Sequence, residues 1–207
     1  MFENTEWLFF DVGSTLVDES LVYEKRMKNI ADSSEVSYEY VYETALNFYK
    51  QNKKGDLEVM KMLGAEKPKW TFEDERLYDD TEKCLEALSK NYKIGVIANQ
   101  SLGTAKRLES FGILKFIALV IASAEEGVAK PDIRIFETAL RRADCKPEQA
   151  FMIGDRIDND IVPAKKLGMK TIWVRQGFGR YSNISGDEER ADFEVDSLSE
   201  ICRLFRV

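Results

Sequence analysis

The spacing of apolar residues along this chain changes twice, and the changes divide it. Trp7-Leu8-Phe9-Phe10 is an unbroken apolar run ending at Asp11, which predicts a buried strand over residues 6–11. From 17 to 78 the pattern turns helical. Tyr38, Val41, Tyr42, Ala45, Phe48 and Tyr49 recur at spacings of three and four. Leu21, Met27 and Ile30 predict a helix before these, and Leu57, Met60 and Leu63 one after, with Gly55, Gly64 and Pro68 as punctuation. From residue 79 helix and strand patterns alternate. A helix through Cys84, Leu85 and Leu88 precedes a strand at 94–98, a helix at 103–111 and a strand at 117–121. Ile133, Phe136, Leu140 and Ala143 mark the next helix, followed by strand 150–153, a helix near 159–167 and strand 170–174. A polar loop at 176–190, either disordered in part or bordering a site, leads to a short strand at 193–195 and a last helix.

Such alternation implies βαβ units: an α/β protein with a parallel sheet and helices on both faces. The boundaries read as a core of 1–16 and 79–207, with a small all-helical unit, 17–78, inserted after the first strand.

Composition narrows the function. The 207 residues suit one domain with a modest insertion. A net charge of −7 with no basic tract argues against a nucleic-acid partner. No apolar stretch reaches the length of a membrane span, and Glu3 and Glu6 interrupt any secretion-signal pattern, so a cytoplasmic location without a membrane partner is expected. Cys84, Cys145 and Cys202 form neither a disulfide framework nor a metal motif. The chain has no histidine, which excludes Ser–His and Cys–His catalysis and any zinc site that uses His. Nothing in the pattern indicates an oligomeric state.

The chemistry gathers where strands end. Asp11 closes the first apolar run, and Asp155 leaves the strand at 150–153. Asp160 falls in the first turn of the following helix, a position that the helix dipole also favours for a carboxylate. Asp158 reads as a helix cap. Strand C-termini in a parallel sheet share a crevice. Carboxylates there repel one another unless a cation intervenes, and hard oxygen ligands suit Mg²⁺. Asp11 is then a metal ligand, a nucleophile or both; read alone, a loop or cap carboxylate is the commoner role for an Asp there. Lys130, in Lys130-Pro131-Asp132, follows an apolar strand by a short connection and would offset that negative charge. Ala98-Asn99-Gln100-Ser101 offers strand-to-helix backbone N–H groups to phosphate oxygens.

Taken together, these residues resemble the haloacid dehalogenase (HAD) superfamily of hydrolases. Asp11–Thr15 resembles the first family motif, 94–99 the second, Lys130-Pro131 the third, and Gly154-Asp155 with Asn159-Asp160 the fourth, in the family's order. The resemblance implies a Rossmann-like sheet and a helical cap that closes over small substrates. It also implies an aspartyl nucleophile, Asp11, and Mg²⁺ held by Asp11, the Gly13 carbonyl and Asp155, with Asp160 in support. Lys130 stabilises charge, and Ser14, Thr15, Ala98, Asn99 and Lys130 border a phosphorylated small molecule. Two departures stand out. Phosphatase relatives carry a second Asp, a general acid–base, where this chain has Gly13, and a Ser or Thr where it has Ala98. Loss of an acid–base typically costs about 10²–10⁴-fold in rate. The expectation is a specialised phosphatase that favours activated aryl or acyl phosphates, or that draws an acid from the Tyr and Lys residues of the cap. Restoring an Asp at position 13 should then raise alkyl-phosphate turnover. The alternatives are a dehalogenase- or phosphonatase-like hydrolase, and a binding or regulatory protein with little turnover.

Overall fold

Residues of β1 (Trp7–Phe10) alternate between two cores, and this sets the layers of the molecule. The computed structural model describes residues 2 and 4–207, so Glu3 lies outside it. The chain continues through β2 (Val17–Asp18), α1 (Ser20–Ser33), α2 (Tyr38–Tyr49), α3 (Gly55–Leu63) and β3 (Arg76–Leu77). Next come α4 (Thr81–Ser89), β4 (Lys93–Ala98), α5 (Thr104–Ser110), β5 (Ile117–Ala122), α6 (Ser123–Glu126), α7 (Ile133–Ala143) and β6 (Ala150–Gly154). A wide π-helical turn, Ile157–Ile161, runs into α8 (Val162–Lys166), and β7 (Lys170–Val174), β8 (Phe193–Val195) and α9 (Leu198–Phe205) complete the fold.

Six parallel strands form one sheet in the order β5-β4-β1-β6-β7-β8. Leu8 and Phe10 pack with Leu85 and Leu88 of α4 and with Leu198 and Ile201 of α9. Trp7 and Phe9 pack on the opposite face with Phe136, Ala139 and Leu140 of α7. Helices therefore cover both faces, as the alternating pattern implies. The strand order reverses at β1: the chain moves outward through β4 and β5, then returns to β6 on the other side. That reversal opens a crevice at the C-terminal ends of β1, β4 and β6.

The inserted stretch differs from expectation in one respect. It is not purely helical, because its two ends pair as a short antiparallel ribbon, Val17 with Leu77 and Asp18 with Arg76. Two-residue strands carry too little periodicity to be read from sequence. Helices α1–α3 enclose a separate core of Met27, Ile30, Val41, Ala45, Tyr49 and Val59. Phe178, from the loop at 176–190, enters this core and stacks on Tyr49 at 4.4 Å. That loop thus ties the sheet to the insertion. No helix among the described residues is long and apolar enough to cross a membrane.

Arg26 of α1 and Asp56 of α3 form a buried ion pair at 2.6 Å, with the Tyr49 hydroxyl donating to the second Asp56 oxygen at 2.8 Å. Removing one partner of such a pair strands a buried charge. Arg26→Met should cost about 3–5 kcal/mol in urea denaturation, and adding Asp56→Leu should recover most of it. A single variant as stable as the parent would show that the pair is not stabilising.

Candidate active site

Asp11 follows β1, Asn99 follows β4 and Asp155 follows β6, so three adjacent strands deliver their next polar residues to one place. Lys130 arrives from the connection between α6 and α7, and Asp160 from the π-helical turn. One carboxylate oxygen from each of Asp11, Asp155 and Asp160 lies within 4.8 Å of the other two. The Lys130 ammonium bridges two of these acids, at 2.8 Å from Asp11 Oδ1 and 2.5 Å from Asp160 Oδ1.

The lysine is held from behind. Its backbone N–H donates to Asn99 Oδ1 at 2.7 Å, and its carbonyl accepts from Asn99 Nδ2 at 2.8 Å. The Asn99 side chain therefore positions Lys130. Burial alone would lower the lysine's pKa, but Asp11 and Asp160 outweigh it and the net shift is upward. Lys130 is a fixed cation.

Asp160 is fully buried, and burial raises its carboxyl to about 6, against the opposing pull of Lys130. Its Oδ2 accepts from the Arg156 backbone N–H at 3.0 Å. A side chain on Gly154 would collide with this carboxylate, so the glycine in Gly154-Asp155 makes room for Asp160. Asp155 is pushed well above the ordinary carboxylate range, by burial first and then by Asp160 and Asp11. Among the described residues no Lys or Arg lies within ion-pair distance of its carboxylate.

A further acid, Glu19, also lines the cavity. The Glu19 carboxyl lies beside Gly13, where a Cβ on residue 13 would overlap Cδ, Oε1 and Oε2. Burial, Glu75 and Asp11 together raise Glu19 to about 8. Ser14, at a φ of 55°, donates its hydroxyl to Glu19 Oε2 at 3.3 Å. The Glu19 side chain makes no capping bond although the residue immediately precedes α1. Sequence reasoning missed this residue for that reason: a Glu at a helix start reads as an ordinary helix-terminus carboxylate.

The cavity has a volume of about 540 Å³. Asp11, Gly13, Asn99 and Lys130 line it from the sheet, and Arg26 and Trp70 from the insertion. Asp11, Asp155, Asp160 and Lys130 meet as the sequence led one to expect. Other expectations need correction. Thr15 and Ala98 are fully buried and do not line the cavity. Ser14 does line the cavity, and its hydroxyl donates to Glu19 Oε2 at 3.3 Å. Asp158 caps no helix; both of its oxygens accept from the Arg156 guanidinium, at 2.8 Å each. Arg156 also donates to the Asn52 carbonyl at 3.2 Å, linking the acidic turn to the insertion. Of the backbone donors after β4, the Gln100 N–H is taken by Ser123 Oγ at 3.1 Å.

A parallel sheet with a strand-order reversal thus carries an acidic crevice at its strand ends and a helical insertion beside it. Residues 8–174 match the family model for haloacid dehalogenase-like hydrolases, and the chain belongs to that family. It is similar to glyceraldehyde 3-phosphate phosphatase of Pyrococcus furiosus, at 29% identity over 94% of this chain and 90% of the relative. Its fold is similar to that of a phosphoglycolate phosphatase from Haemophilus somnus, known from a crystal structure and itself assigned by prediction. The TM-score there is 0.74 at 18% identity, over 99% of this chain and 100% of that one. L-2-haloacid dehalogenase from Xanthobacter autotrophicus also shares the fold, with a TM-score of 0.69 at 15% identity over 98% of each chain. The fold alone thus spans both chemistries, and the site must decide between them.

Proposed function

We propose that this protein is a Mg²⁺-dependent phosphatase of small phosphorylated molecules, working through an aspartyl-phosphate on Asp11. The observation that carries this reading is the buried trio of Asp11, Asp155 and Asp160 with a single ammonium among them. Three hard-oxygen donors against one fixed cation fit a divalent ion, and Asp155, which lacks a cationic partner, is the ligand most in need of it. Asp11, Asp155 and the Gly13 carbonyl would hold Mg²⁺, with Asp160 supporting. When bound, the ion would neutralise the phosphoryl oxygens and bring the nucleophile and the phosphate together.

The remaining roles belong to the chain's own residues. Lys130 engages Asp11 Oδ1 and leaves Oδ2 without a hydrogen bond from the described residues. That second oxygen is the nucleophile. It attacks phosphorus and displaces the leaving oxygen, and water later hydrolyses the acyl phosphate. Lys130 offsets the charge that builds on the transferring group. The insertion, read as a cap over 17–78, excludes bulk water from the reacting atoms. The acidic cluster favours the metal-dependent reading over a metal-free dehalogenase, which stands second.

The test is phosphate release from glyceraldehyde 3-phosphate and from 4-nitrophenyl phosphate, with Mg²⁺ or with excess chelator. Release that requires Mg²⁺ supports the reading. Halide release from 2-haloacids that survives the chelator, with no phosphate release, would replace it with the dehalogenase.

A further inference from the structure

An alkoxide leaves phosphorus readily only if its oxygen gains a proton as the bond breaks. Several polar groups in the cavity are already committed, and Tyr23, Lys54, Lys67 and Lys69 also line it. Lys130 bridges Asp11 and Asp160, Arg26 is paired with Asp56, and the Tyr49 hydroxyl donates to Asp56. Glu19 is different. It is buried, it lines the cavity, and no Lys or Arg among the described residues is within ion-pair distance. Its carboxyl occupies the volume that a side chain on residue 13 would otherwise fill, two residues beyond the nucleophile. Only glycine at 13 lets it sit there.

We propose that Glu19 is the general acid–base of this site. The inference rests on the phosphatase reading above. As Asp11 Oδ2 bonds to phosphorus, the bond to the leaving oxygen breaks, and that oxygen's electron pair takes the proton from Glu19. The alcohol departs and Glu19 is left as carboxylate. Water then attacks the phosphorylated Asp11, giving its proton to Glu19. The bond from phosphorus to Asp11 breaks, its electron pair returns to the carboxylate, and inorganic phosphate leaves. The acid is thus supplied by the residue that opens the insertion, immediately before α1, and not by the loop that carries the nucleophile. The space at Gly13 is the one this carboxyl occupies, so on this proposal an Asp introduced at 13 alone would compete with Glu19 for one volume and is expected not to raise turnover.

Leaving-group dependence tests this directly. Glu19→Gln should lower turnover of glyceraldehyde 3-phosphate by about 10²–10⁴-fold, and that of 4-nitrophenyl phosphate, whose phenolate departs unaided, by at least about tenfold less. With the aryl substrate, the variant should accumulate phosphorylated Asp11, seen by intact-protein mass spectrometry after an acid quench, because the hydrolytic step has lost its base. A second arm moves the carboxyl: Gly13→Asp combined with Glu19→Ala should regain alkyl-phosphate turnover relative to Glu19→Ala alone. An equal loss on both substrates, or no loss, would overturn the assignment of Glu19. A parent protein that releases phosphate from neither substrate would overturn the phosphatase reading itself.

Discussion

Replacing Asp11 with Asn should abolish phosphate release, by at least about 10⁴-fold, while the protein stays folded. An amide is nearly isosteric with the carboxylate but does not form the acyl phosphate, so no covalent intermediate should be trapped from any substrate. The structural cost is small because Lys130 retains Asp160 at 2.5 Å. The change also removes one of the negative charges that hold Asp155 up, so the metal-free variant should melt no lower than the parent. Steady-state phosphate release and a thermal melt check both halves. Residual turnover within tenfold of the parent would show that another group is the nucleophile, and a collapse in stability would show that Asp11 is needed to hold the fold.

Lys130→Met has the second large effect, and it acts on stability as much as on rate. Methionine fills the volume but leaves Asp11, Asp155 and Asp160 with no ammonium among them. Losing one partner of a buried ionic network costs about 3–5 kcal/mol. The pH dependence of that loss follows from the directions of the shifts. Asp155 and Asp160 both titrate above their unfolded values in the parent, Asp160 at about 6. Between the unfolded and folded pKa values the native state binds more protons than the unfolded chain, so stability falls as pH rises through that window and recovers as pH drops. Without Lys130 the folded values climb further and the window widens upward. The stability deficit of Lys130→Met should therefore be largest near neutral pH and above, and shrink toward pH 4–5. Mg²⁺ at a hundred times its dissociation constant should raise the stability of the variant by about 2.7 kcal/mol, and that of the parent by the same arithmetic, because the ion binds only the folded cluster. Urea denaturation at several pH values, with and without Mg²⁺, measures this. A deficit independent of pH would mean that Lys130 acts through packing alone.

Local pattern carried a large share of the architecture. The uninterrupted run at Trp7–Phe10 and the alternation after residue 79 identify strands and helices because each pattern matches the period of its backbone. The three-and-four spacing around Tyr38–Tyr49 separates the insertion from the sheet for the same reason. Departures occur where the determining interaction is not periodic. The Val17–Asp18 ribbon is two residues long and is held by a partner near residue 77. Asp158 looked like a cap, but the neighbouring Arg156 guanidinium takes both of its oxygens. Phe178 lies in a polar loop, and its burial depends on Tyr49, 129 residues earlier in the chain.

By itself the sequence determined the α/β plan, the inserted helices, and that Asp11 and Asp155 stand at strand ends, because those properties follow from short-range periodicity and chain order. Only the tertiary structure decided that Asp11, Asp155 and Asp160 share one cluster bridged by Lys130, that Asn99 serves the lysine's backbone, and that Glu19 occupies the space beside Gly13. Those facts depend on distances between residues remote in the chain and on which volumes are left empty, and a linear pattern encodes neither. Glycine shows the point most plainly: in sequence it reads as a lost side chain, and in three dimensions it is the room another residue fills.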